Sequence, residues 1–167
     1  IILIYFIILN QKNPTIALYA KDGEVHIRIT SKEKNHIEAD KKIKEIENKI
    51  VNILKNNVYG YDNDSLESVV NDLLQKRKLT VSFAESCTGG MISSRFTDIP
   101  NASVSFLNGI VCYSNEAKIN ILGVKRETIE KYGAVSMETA EEMARCIRKI
   151  SKTDIGLSVT GIAGPTG

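Results

Sequence analysis

At 167 residues, with 43% apolar and 25% charged side chains, the chain has the composition of an ordinary globular protein, which excludes disordered and collagen-like classes. The formal net charge is only +2; Lys and Arg exceed Asp and Glu by two up to Leu79 and balance them after it, so neither part carries the basic footprint of a nucleic-acid binder. Cys87, Cys112 and Cys146 are too few and too widely spaced for a CxxC zinc site or a disulfide framework, and their odd number fits a reducing, cytoplasmic compartment.

Ile1 to Leu9 is wholly apolar, but nine residues are too short to span a bilayer as a helix and no basic region precedes them, so a buried strand or the remnant of one is expected and no membrane is implied. Thr15 to Thr30 alternates, with Ile16, Leu18 and Ala20 on one face, then Val25, Ile27 and Ile29, around Asp22-Gly23, a signal for a type I′ hairpin. Residues 36 to 56 space Ile43, Ile46, Ile50 and Ile53 by three and four among lysines and glutamates, which predicts an amphipathic helix. Tyr59 to Asn63 is a turn-rich break and the candidate boundary. Asp64 and Glu67 then form a D-x-x-E capping box for a helix buried through Leu66, Val69, Val70, Leu73 and Leu74.

From Leu79 onward, short apolar runs alternate with helical patterns: Thr80 to Ala84, Gly109 to Tyr113 and Ile155 to Val159 read as strands. This alternation predicts parallel strands with crossover helices. Ser136 caps one crossover, whose Ala140, Met143, Ala144 and Ile147 form the core stripe. The chain opens on Ile rather than Met and stops in a glycine-rich run from Gly161 to Gly167, so a piece of a longer protein is expected.

His26 and His36 both lie near the start, so the later part of the chain can build neither a local Ser-His-Asp triad nor a His-ligated metal centre. Three strand ends carry the remaining chemistry. Ala84-Glu85-Ser86-Cys87-Thr88-Gly89-Gly90 turns from strand to helix. There a small nucleophile can be exposed, the glycine pair admits a substrate, and the helix N-terminus can stabilise an oxyanion or phosphate. The same residues also suit a plain helix start capped by Ser86.

Tyr113-Ser114-Asn115-Glu116-Ala117-Lys118 leaves a second strand with Ser114 or Asn115 as N-cap. Lys118 is thereby set in a first turn, where the helix dipole and partial burial both disfavour its charged form, as a lysine base requires. A solvated lysine beside a core tyrosine is the competing reading. Ser158 to Pro165 empties a third strand into a loop, either a ligand-binding edge or a connector of turn residues.

Four motifs in this order, AESCTGG from Ala84, YSNEAK from Tyr113, GAVSMETA from Gly133 and SVTGIAGPTG from Ser158, resemble the CinA (competence/damage-inducible protein) family and the nicotinamide-nucleotide amidohydrolase module also found alone as PncC. The resemblance covers nearly the whole chain. It implies a small α+β KH-like domain over 1–62 and an α/β layered amidohydrolase domain, with a largely parallel sheet, over 63–167. The charge balance and the lack of a GXXG clamp imply no nucleic-acid binding by the KH-like part.

The implied reaction is hydrolysis of nicotinamide mononucleotide to nicotinic acid mononucleotide and ammonia, without metal or cofactor. Ser86 would attack, Lys118 would act as base with Tyr113 relaying or orienting the proton, and N–H groups near Thr88 and Gly89 would hold the oxyanion. Gly90, Thr160, Gly161 and Gly164 would line the substrate. The other class of function is a non-catalytic module of the competence and DNA-damage response. Homodimerisation is the prior for such domains. Leu18 stands where the family usually has proline, and Ile1 to Leu9 fits the family pattern poorly. The resemblance also implies a front domain linked to ADP-ribose hydrolysis, which is expected to lie outside residues 1–167. The family's amidase module also continues past the glycine run into a further strand and helix with basic residues, so residues 1–167 alone are expected to leave an open apolar sheet edge, to be aggregation-prone and to show little or no deamidation.

Overall fold

The computed structural model describes residues 11–164. The apolar run at the start, and the glycine run after Gly164, lie outside the described residues. The chain divides between Tyr59 and Gly60 into two compact units.

In the first unit, β1 (Thr15–Lys21) and β2 (Glu24–Thr30) pair antiparallel, with Lys21 opposite Glu24. Ile16, Leu18 and Ala20 lie directly across from Ile29, Ile27 and Val25, so the alternating residues of both strands share a face. Gly23 takes the left-handed conformation (φ +80°), but Asp22 does not, so the turn is not the expected type I′: the glycine alone absorbs the positive φ. Helix α1 (His36–Leu54) starts at Asn35, whose side chain accepts the Glu38 N–H. Its Ile46 and Ile50 are buried against Ile16, Ile27 and Ile29, which joins helix and hairpin into one small core.

In the second unit, α2 (Leu66–Arg77) is capped by Ser65, not by the expected Asp64. The Ser65 hydroxyl accepts the Ser68 N–H, and the Ser68 hydroxyl accepts the Ser65 N–H. Asp64 instead accepts the Tyr61 N–H and closes the preceding turn. The helix buries Leu74 and Asn71, while Leu66, Val70 and Leu73 are exposed, against expectation. Its orientation favours Asn71, which accepts the buried Ser105 hydroxyl and leaves neither group unsatisfied.

The sheet follows from β3 (Val81–Glu85), β4 (Phe106–Val111) and β5 (Ile155–Val159), with order β4-β3-β5 and both pairings parallel. Strand β4 begins earlier than the sequence pattern places it and ends at Val111. Between the strands run α3 (Met91–Thr97), the short α4 (Asn115–Ala117) continued by a π-turn over Lys118–Leu122, α5 (Arg126–Tyr132) and α6 (Met137–Ser151). Helices cover both sides of the sheet. All five residues of β3 are buried, as a central parallel strand requires.

On one side of the sheet Phe83 packs edge-on to Phe96 at 5.4 Å and stacks on Phe106 at 4.8 Å. Across the sheet Ala84 joins Met143 and Ile147 of α6, with Leu122 and Val124. Ser136 caps α6 as expected. Among the described residues no helix is long and apolar enough to cross a membrane.

Strand β5 approaches α6 so closely that a Cβ on Gly156 would lie 2.2 Å from the Ala144 carbonyl oxygen. Backbone cannot yield as a flexible side chain does. Gly156→Ala is therefore expected to destabilise the unit by about 1–3 kcal/mol, read as a lower denaturant midpoint. An unchanged midpoint would show that β5 and α6 can separate freely.

Candidate active site

Parallel β3, β4 and β5 deliver their carboxyl ends to one edge of the second unit, and the chain beyond each end turns into a loop. The ladder extends one step past β3 on both sides. The Ser86 N–H donates to the Val159 carbonyl at 2.9 Å, and the Cys112 N–H donates to the Glu85 carbonyl at 2.8 Å. Ser86 is thus tied to the end of β5 through its own N–H, one residue after Glu85 is tied to the chain leaving β4, and it is only 4% exposed.

Lys118 is 2% exposed, and its Nζ lies 3.0 Å from Ser86 Oγ, 3.2 Å from the Cys112 carbonyl and 3.1 Å from the Tyr113 carbonyl. Local sequence explains the approach. Ser114 caps the short α4 by accepting the Ala117 N–H, which starts the helix two residues after Tyr113, at Asn115, and puts Lys118 at the end of its first turn. The π-turn begins at Lys118 itself, and Gly123 (φ +85°) ends it. Burial pushes the neighbouring Cys112 thiol up despite the opposing pull of Lys118, so it stays a neutral thiol.

Tyr113 meets this pair through its backbone. Its side chain is 64% exposed, and the group that touches Lys118 is its carbonyl, not the phenol the sequence singles out. The Gly89 N–H is engaged by the Ser86 carbonyl at 3.1 Å, so it is not free for an oxyanion in this arrangement. Among the described residues none accepts the backbone N–H of Cys87 or Thr88. Those two groups flank the nucleophile position on its C-terminal side.

The start of α3 does not offer the anion site expected of it. The Glu85 carboxylate accepts the N–H groups of Gly90, Ile92 and Ser93 at 2.8–3.1 Å and the Ser93 hydroxyl at 2.6 Å. Sequence reasoning passed over this residue. The available signal was a carboxylate closing the apolar run Val81-Ser82-Phe83-Ala84, where a charge needs several partners to be buried. Glu85 is fully buried, and burial alone would raise its carboxyl; the hydrogen bonds from Ser93 and Ile92, with the pull of the nearby Thr88 hydroxyl, outweigh it and hold the carboxyl below the usual range. Thr88 Oγ1 is itself buried and outside ordinary hydrogen-bond geometry, yet close enough to add to that stabilisation.

A carboxyl lowered by folding contributes stability above its unfolded value, and that contribution is lost as pH falls through the lower folded value. Glu85→Gln should therefore flatten the loss of thermal stability on acidification below the ordinary glutamate range. An identical acid profile in variant and parent would remove Glu85 from that transition.

The β5 end is more structural than the sequence suggests. The Thr160 hydroxyl donates to the Ala134 carbonyl at 2.8 Å and ties the loop before α6 to the sheet edge. Gly161 lies against Cys87: a Cβ there would be 3.0 Å from Cys87 Sγ. Gly90 (φ +99°) bends the chain into α3, and Gly164 (φ +112°) lies in open space. Among the described residues no cluster of His, Cys, Asp and Glu could hold a metal ion.

The family profile described as CinA C-terminal domain matches residues 63–167, and that of the damage-inducible protein CinA KH domain matches 6–60. A Clostridium acetobutylicum protein named for competence-damage induction is 55% identical over 95% of this chain and 38% of its own length. The CinA-like protein of Kosmotoga olearia is 55% identical over 96% and 39%. The chain therefore spans about two-fifths of the curated relatives it matches.

The crystal structure of the competence/damage-inducible protein CihA from Agrobacterium tumefaciens is similar at a TM-score of 0.60 and 40% identity, over 66% of this chain and 67% of that one. A CinA-superfamily structure from Escherichia coli gives 0.60 at 30% identity, over 68% and 69%. Profile, relatives and fold agree: the chain belongs to the CinA family.

Proposed function

We propose that Ser86 and Lys118 are the nucleophile and base of an amide hydrolase that converts nicotinamide mononucleotide to nicotinic acid mononucleotide and ammonia. The observation that carries this reading is the buried 3.0 Å contact between Lys118 Nζ and Ser86 Oγ. A buried lysine facing a serine hydroxyl, with no carboxylate paired to it among the described residues, suits proton transfer better than stability. The substrate comes from the resemblance of the four motifs to the amidohydrolase module.

The two carbonyls give the amine its direction. To act as base, Nζ keeps two hydrogens on the Cys112 and Tyr113 carbonyls and turns a lone pair, in place of the hydrogen it donates to Ser86 Oγ, toward the Ser86 hydroxyl. Ser86 Oγ then attacks the carboxamide carbon as its proton passes to Lys118. The N–H groups of Cys87 and Thr88 stabilise the oxyanion, replacing the Thr88 and Gly89 pair expected from sequence. Collapse breaks the C–N bond, Lys118 returns the proton to the nitrogen, and ammonia leaves. Water, deprotonated by the same amine, hydrolyses the acyl-serine.

Tyr113 serves this scheme through its carbonyl, and its exposed ring is free to meet the substrate. The side chain of Cys87 packs over Gly161, which clears it from the attack path. Ammonia release from nicotinamide mononucleotide by the full-length protein tests the reading. The absence of release would leave the non-catalytic role in the competence and damage response.

A further inference from the structure

We infer that Glu85 is a positioning residue of this site: its carboxylate holds residues 86–90 in the shape that presents Ser86 Oγ and the N–H groups of Cys87 and Thr88 to a reacting carbonyl. This rests on the hydrolase reading of the Ser86–Lys118 pair.

Two anchors meet in this one residue. The backbone of Glu85 is fixed in the sheet, paired to Val111 and Val159, and its carbonyl accepts the Cys112 N–H. Its carboxylate, from the same Cα, holds the N–H groups of Gly90, Ile92 and Ser93 and the Ser93 hydroxyl. The chain between these anchors is the loop that carries the nucleophile and the two unengaged N–H groups.

Both ends of that loop are therefore tied to a single rigid strand end. Gly89 (φ +60°) and Gly90 (φ +99°) make the reversal that brings the chain back to the carboxylate. The Gly89 N–H, held by the Ser86 carbonyl, closes the turn between them. Nothing in this arrangement requires Glu85 to touch substrate, because its oxygens are occupied by the start of α3. Its negative charge is what suits it to four converging donors; a neutral amide would set an NH2 group against some of them.

A residue that only supports the fold changes stability and leaves the chemistry of the remaining folded molecules intact. One that aims the nucleophile and oxyanion donors changes kcat more than KM, and it changes the reactivity of Ser86 toward any electrophile that uses the same donors. The experiment compares full-length wild type with Glu85→Gln and with Ser93→Ala, which removes one donor and keeps the charge. Each is measured for kcat and KM on nicotinamide mononucleotide, for the rate at which a fluorophosphonate probe labels Ser86, and for thermal unfolding.

In folded Glu85→Gln, kcat is expected to fall roughly ten- to a hundredfold with KM within about threefold, the labelling rate falling in parallel, and Ser93→Ala to fall less in the same direction. Wild-type kcat and labelling in folded Glu85→Gln would overturn the inference, as would a raised KM at unchanged kcat. Should Glu85→Gln not fold, Ser93→Ala decides: slowed labelling supports the role and wild-type labelling overturns it. A wild type that labels at Ser86 but releases no ammonia sinks the proposed substrate instead. The ratio of labelling rates then judges Glu85 alone, a tenfold loss supporting it and equality overturning it.

Discussion

Ser86→Ala in the full-length protein is expected to lower ammonia release from nicotinamide mononucleotide by at least about 10⁴-fold, a loss of about 5 kcal/mol or more in transition-state stabilisation. The adjacent Cys87 is the competing nucleophile, since thiols attack carbonyls as readily as hydroxyls do. Geometry separates them: Ser86 Oγ lies on Lys118 Nζ, whereas Cys87 Sγ lies over Gly161. Cys87→Ser should therefore cost less than about tenfold, because the backbone N–H at that position, not the side chain, is used. Turnover retained in Ser86→Ala and lost in Cys87→Ser would reverse the assignment. The alanine variant should fold normally, since Lys118 keeps both carbonyl partners.

What could be seen in the sequence depended on how local its cause was. The hairpin, the isoleucine face of α1, the Ser136 cap and the α6 stripe each follow from spacing within one element, and all are present. The errors arise where a local signal competes with a distant partner. Asp64 reads as a helix cap as well as Ser65 does, but the turn at Tyr61 claims it. The orientation of α2 depends on Asn71 meeting Ser105 from another segment, and no apolar periodicity encodes that contact.

The candidate site divides in the same way. Ser86 and Lys118 were legible as residue types at strand ends, because a parallel sheet brings such ends together. The part played by Glu85 was not legible, since it depends on where the start of α3 places its N–H groups. Tyr113 shows a subtler limit: the position is in the site, but its carbonyl makes the contact, and carbonyls carry no sequence signal.

Lys118 carries the second large effect, because a serine hydroxyl attacks an amide only if a nearby group can take its proton. Lys118→Met removes that group, and Lys118→Arg replaces it with a guanidinium that stays charged and cannot accept. Both are expected to lose at least about 10³-fold in kcat and to slow probe labelling of Ser86. Methionine also leaves the Cys112 and Tyr113 carbonyls without their donor, which costs about 1–3 kcal/mol of stability. Activity is therefore compared at a temperature where every variant is folded.

The double variant Ser86→Ala with Lys118→Met separates a working pair from two independent contributors. Residues that act on one proton fail together, so the double variant should be no slower than Ser86→Ala alone. Full activity in Lys118→Arg, or losses that multiply in the double variant, would show that the 3.0 Å contact between Nζ and Oγ holds the loop in place and moves no proton.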